Sequence, residues 1–166
     1  MSVTHVDKDF DNLTLTVVAE FDAPIERVWE LWADPRKLER WWGPPTHPAT
    51  VEHHDLVAGG EVAYFMTGPK GEWTRGWWRV GSVDPPRSLE FTDGFANQDG
   101  TPNTNTPTTS VQARLSEHAG GTRMELRFVF DSIEHMERLE RGGAFDVFPQ
   151  SVGQMDAVLN QGQEAR

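Results

Sequence analysis

The stretch from Phe21 to Pro45, FDAPIERVWELWADPRKLERWWGPP, decides how this chain is read. Pro24 suits a first helical turn, where its fixed φ and missing N–H cost nothing, and Glu26 close behind favours the helix dipole. Ile25, Val28, Trp29 and Trp32 then recur at helical spacing and define one apolar face. Asp34 before Pro35 reads as a cap that closes this helix and opens a second, from Pro35 to about Trp41, which stops at Gly43-Pro44-Pro45.

Outward from this segment the pattern is mostly β. The run LTLTVVAEF from Leu13 to Phe21 is β-branched and partly alternating, as a first strand should be. Six further strands are expected: Thr50 to Val57, Glu61 to Thr67, Trp73 to Val83, Ser88 to Asp93, Ser110 to Glu117 and Arg123 to Phe130. Gly59-Gly60, the Gly68 to Gly71 segment, Pro85-Pro86 and Gly120-Gly121 supply tight connections between them. Phe95 to Thr109 (FANQDGTPNTNTPTT) is too polar and too rich in Pro and Asn for a strand, and reads as a long loop. After Asp131, placed with Glu134 as a capping pair, helical periodicity returns through Ile133, Met136 and Leu139. Beyond Gly142-Gly143 it continues on one face through Phe145, Phe148, Val152, Met155 and Leu159, with a kink or restart expected at Pro149.

The 166 residues fit a single domain over residues 1–166, a length that buries about 70% of the surface of the unfolded chain. Apolar residues make up 37% of the chain, with 7 Trp and 9 Phe as large groups for a core or a cavity wall. A formal net charge of −11 argues against nucleic acid and anionic membranes as partners. The absence of cysteine excludes disulfides, thiolate metal sites and a cysteine nucleophile. The polar start MSVTHVDKDFDN shows no secretory signal, and no apolar run approaches the roughly 20 residues of a membrane span, so a cytoplasmic protein without membrane insertion is expected.

One strand, two short helices, six more strands and a long C-terminal helix make an α+β fold: a curved antiparallel sheet of about seven strands gripping that helix. The pieces in their order resemble the SRPBCC or START-like superfamily, and within it the proteins related to the activator of the Hsp90 ATPase. The matching residues are Phe21 to Pro24 with Val28-Trp29, Leu38 through Pro44, Asp55-Leu56 leading to Gly59-Gly60, Met66 to Gly71, Asp84 to Pro86 with Leu89 to Thr92, and Ser151 to Leu159. The resemblance implies the helix-grip fold and a cavity between sheet and C-terminal helix that holds small apolar or lipid-like molecules. It implies no particular activity, since one fold hosts many. It also brings a homodimer into view, and contact with a chaperone as the least supported role.

Strand alternation assigns faces. Met124, Leu126, Phe128 and Phe130 face the helix, as do Val62, Tyr64 and Met66, with Leu89, Phe91 and Asp93. Trp78 points inward, while Trp73, Arg75, Trp77 and Arg79 form an outer stripe in which Arg can stack on Trp. The expected ligand-binding set is therefore Tyr64, Met66, Trp78, Phe91, Phe128, Phe145 and Phe148, around a small apolar or aromatic molecule.

Three groups are candidates for acid–base work: His53, His54 and Asp93. Neighbouring His53 and His54 point to opposite strand faces, and a pair at i and i+2 lacks a third ligand, so no metal is expected. No nucleophile elbow supports Ser-His-Asp chemistry and no phosphate-cradling loop supports nucleotide hydrolysis, and no cofactor is expected. The functions in contention are a binder of small hydrophobic molecules, a cyclase, hydratase or hydrolase using the same cavity, and a chaperone-interacting protein.

Overall fold

A computed structural model of the chain describes residues 3–164, with side chains described through residue 160. Eight antiparallel strands form one sheet: β1 (Val3–Asp9), β2 (Thr14–Phe21), β3 (Ala49–His54), β4 (Glu61–Thr67), β5 (Trp73–Asp84), β6 (Ser88–Ala96), β7 (Thr109–His118) and β8 (Gly121–Phe130). Their order across the sheet is β1-β2-β8-β7-β6-β5-β4-β3. Helices α1 (Ile25–Ala33) and α2 (Pro35–Leu38) lie between β2 and β3. Helices α3 (Ile133–Arg141), α4 (Ala144–Gly153) and α5 (Met155–Glu164) follow β8. This is the helix-grip arrangement, with one strand more than the expected seven.

The extra strand is β1. Its sequence, VTHVDKD, is polar because it is an edge strand paired only with β2 and exposed along most of its length. Periodicity finds strands through their buried face, and β1 has almost none. The opposite edge is capped instead: the Val51 N–H donates to Glu39 Oε1 at 2.9 Å, and the Val51 carbonyl accepts from Arg36 Nη2 at 2.7 Å. Those two side chains occupy edge groups that would otherwise offer themselves to another strand.

Helix ends follow the sequence with three shifts, the first being that α2 stops at Leu38 instead of about Trp41. Asp34 accepts from the Arg36 N–H at 2.9 Å and so starts α2, as its place before Pro35 suggests. At α3 the cap is Ser132, whose Oγ accepts from the His135 N–H at 3.1 Å, while Asp131 bonds the His135 ring at 2.9 Å. The C-terminal helix does not restart at Pro149, which lies inside α4; it breaks at Gln154. Gln154 Nε2 donates to the carbonyls of Gly43 at 2.7 Å and Trp41 at 3.3 Å, fastening the break to the end of the α2 segment. Farther along, Arg27 Nη2 of α1 donates to the Leu159 carbonyl at 2.7 Å.

The inner face carries the core. Leu15, Val17 and Ala19 of β2 meet Phe128, Leu126 and Met124 of β8 in register, and all six are buried. At the other end Trp32, Trp41 and Trp78 are fully buried, with Trp41 Nε1 donating to the Leu31 carbonyl at 2.8 Å. On the outer face Phe65 and Trp73 stack at 4.2 Å, and the Arg75 guanidinium lies 5.5 and 5.4 Å from their ring centres.

Replacing Gln154 by Ala removes the donor shared by two half-buried carbonyls. This should lower unfolding free energy by roughly 1–2 kcal/mol, read as a shift of the urea midpoint with an unchanged slope. An unshifted midpoint would mean that the helix break is held by packing alone.

Candidate functional site

A cavity of about 340 Å³ lies between the inner face of the sheet and the C-terminal helices. Its floor comes from β4, β6, β7 and β8, which contribute Tyr64 and Met66, Asp93 and Phe95, Thr109, and Leu126 with Phe128. Its roof is α4, through Ala144, Val147, Phe148, Ser151 and Val152, with Leu139 of α3 beside it. The end wall is the connection after α2, with Trp41, Trp42, Pro44 and His47. Phe128 and Phe148 stack at 4.4 Å and 11°, joining floor to roof.

One corner of this apolar space is polar. Tyr64 and Asp93 stand on β4 and β6, with β5 between them, and Tyr64 Oη donates to Asp93 Oδ1 at 2.8 Å. The reach is possible because the β5 residue opposite Tyr64 is Gly76, where a Cβ would collide with the Tyr64 ring. Trp78 of β5 is the cross-strand partner of Asp93. Its indole N–H lies close enough to favour the carboxylate but not at full hydrogen-bond geometry, and the Trp42 N–H stands in the same relation to the Tyr64 oxygen.

Burial among these rings raises the Asp93 carboxyl from 3.8 to about 7, against the opposing help of the Tyr64 and Trp78 donors. Burial, and then the neighbouring Asp93 charge, push the Tyr64 hydroxyl well above its ordinary value. Asp93 is thus poised between neutral and charged near physiological pH, as groups at functional sites often are.

The sequence-derived residues divide. Tyr64, Met66, Phe128, Phe148 and Asp93 line the cavity. Trp78, Phe91 and Phe145 face inward but lie behind the wall: Trp78 and Phe91 stack on each other at 3.9 Å, and Phe145 packs on Phe130 at 5.7 Å. Alternation identifies a face but not how deep a residue sits beneath its neighbours.

His53 and His54 are outside the cavity lining. A bulge between Val51 and His53 leaves His53 exposed beside Glu52, which pairs with Arg75, and His54 Nε2 lies 3.0 Å from the Trp32 carbonyl. The histidine that does line the cavity is His47, with Nδ1 2.8 Å from Thr46 Oγ1. It sits in an aperiodic connection that gives no directional signal, as do Trp41 and Trp42. Among the described residues no group of three or more His, Asp or Glu is placed to hold a metal ion, and no helix is long and apolar enough to cross a membrane.

Residues 22–160 match the family described as activator of Hsp90 ATPase homolog 1-like protein. The chain belongs to this family. A Mycobacterium smegmatis protein of known crystal structure is 47% identical, with 95% of this chain and 96% of that one covered and a TM-score of 0.86. A solution structure from Arthrobacter aurescens is 44% identical over 96% of this chain and 93% of that one, with a TM-score of 0.92. The AHSA1 protein of Silicibacter pomeroyi, 24% identical over 89% and 98% of the two chains with a TM-score of 0.71, shares the fold. No curated protein matches the chain.

The raised Asp93 value carries a sign. A carboxyl that takes up its proton more readily when folded adds stability at low pH and loses it as pH climbs from about 4 to about 7. Wild type should lose roughly 2–3 kcal/mol more than Asp93→Asn between about pH 5 and pH 8 in urea unfolding. Parallel pH profiles for the two proteins would show that Asp93 is well solvated. In Gly76→Ala the Tyr64 ring must move, so the same pH profile should change with it, and an unaltered profile would contradict the close packing of that ring.

Proposed function

We propose that this protein binds a small hydrophobic molecule in the cavity between the sheet and α4. The observation that carries the reading is a void of about 340 Å³ walled by rings and aliphatic groups with one polar corner, Tyr64 and Asp93. Its size and composition are those of small-molecule sites, in which a few polar groups orient a ligand held mainly by burial. Family membership is compatible with this role and does not by itself select it.

Trp41 and Trp42 stand in the wall and report on its occupancy. Titration with uncharged aromatic and sterol-like molecules, alongside fatty acids, should give a saturable change in tryptophan fluorescence with Kd in roughly the micromolar range. Ala144→Phe, which projects a ring into the space, should abolish that change while the circular dichroism spectrum is kept. A flat response across the panel, or an identical response from the filled variant, would defeat the proposal.

Acid–base chemistry in the same cavity is a second reading, favoured by a carboxyl at the void that titrates near neutrality. It requires that a bound molecule be recovered altered, by mass or NMR spectrum, and that Asp93→Asn return it unaltered. Saturable binding with no altered product would leave binding as the whole function.

A further inference from the structure

We infer that the ligand is a hydrophobic amine, bound in its protonated form with Asp93 as counter-ion and the cavity rings around it. This rests on the reading of the cavity as a ligand site and names the chemistry that site selects.

The first ground is the charge inventory of the wall. Among the described residues Asp93 is its only carboxylate, no Lys or Arg lines it, and the other titratable groups are Tyr64 from β4 and His47 from the connection after α2. Several acids outside the cavity are paired with bases, as in Lys37 with Glu30, Lys8 with Glu140 and Arg75 with Glu52. Asp93, placed in the apolar cavity, has no such cation among the described residues. A buried carboxylate without a counter-charge is costly, and an ammonium entering the cavity supplies the missing half of the pair.

The second ground is the direction of the hydrogen bonds. Tyr64 Oη donates to Asp93 Oδ1, and the Trp78 indole N–H, buried without a full hydrogen bond, favours the same carboxylate. The Tyr64 and Trp78 donors thus support the charged carboxylate against the cost of its burial. What the corner offers a ligand is therefore an acceptor. An ammonium donates, whereas a ligand carboxylate would meet Asp93 with no Lys or Arg in the described lining to offset the repulsion.

The third ground is the surroundings. Trp42, Tyr64, Phe128 and Phe148 present π-systems around the same space, and cations are attracted to aromatic faces when desolvated. A net charge of −11 also raises the local concentration of cations at the surface.

The test uses three molecules with one ring system: 2-naphthylmethylamine, 2-naphthylmethanol and 2-naphthoate, titrated calorimetrically into the intact protein at about pH 8. The amine should bind about tenfold tighter than the alcohol, with the carboxylate weakest. In Asp93→Asn the amine's advantage should vanish while the alcohol still binds. In wild type that advantage should shrink toward about pH 5.5, where Asp93 gains a proton while the amine keeps its own; repeating this with Asp93→Asn separates Asp93 from His47. Alcohol binding as tight as the amine, or an amine preference that survives in Asp93→Asn, would overturn the inference and leave the cavity reading standing. Failure of all three to bind would remove both.

Discussion

The structure depends on a cluster of indoles that pins the two short helices to the sheet. Trp32 meets Trp41 edge-on at 4.7 Å, Trp42 meets Trp78 edge-on at 4.8 Å, and Trp78 stacks on Phe91 at 3.9 Å. These rings come from α1, the turn after α2, β5 and β6, so one contact set joins four parts of the chain. Aromatic pairs add about 0.5–1.5 kcal/mol each beyond the area they bury. Rigid rings locked against each other cannot relax into neighbouring space, and the space beside Trp42 stays open for that reason.

The cavity begins where that rigid block ends. The Gln154 side chain, set in the break between α4 and α5, bonds the Trp41 and Gly43 carbonyls and so fixes the roof to the same block. Between them the sheet presents Tyr64 and Asp93 across Gly76. A carboxyl in such a place is held at the expense of stability above neutral pH.

Much of the fold was legible because burial leaves a period in the sequence. Met124 to Phe130 alternate as a half-buried strand must, and Ile25 to Trp32 repeat as an amphipathic helix must. β1 escaped because an edge strand exposed on both faces has no apolar period. The site was half legible. Tyr64, Met66, Asp93 and Phe128 follow from strand alternation and Phe148 from helical periodicity, but Trp42 and His47 lie in an irregular connection whose course only tertiary packing sets. Trp78, Phe91 and Phe145 have the right direction and the wrong depth, and the bulge between Val51 and His53 breaks the simple alternation from which the faces of His53 and His54 are assigned. Gly76 carried no signal at all: its role lies in the ring that rests upon it.

The central claim is that the space between the sheet and α4 is open in the folded protein. Crystallography under xenon pressure tests it directly, because xenon enters preformed apolar cavities. Xenon density beside Leu126, Phe128 and Phe148, with the Trp42 ring unmoved, is the result this account predicts. Trp42 or Phe148 found folded into the space, with no xenon bound there, would contradict it.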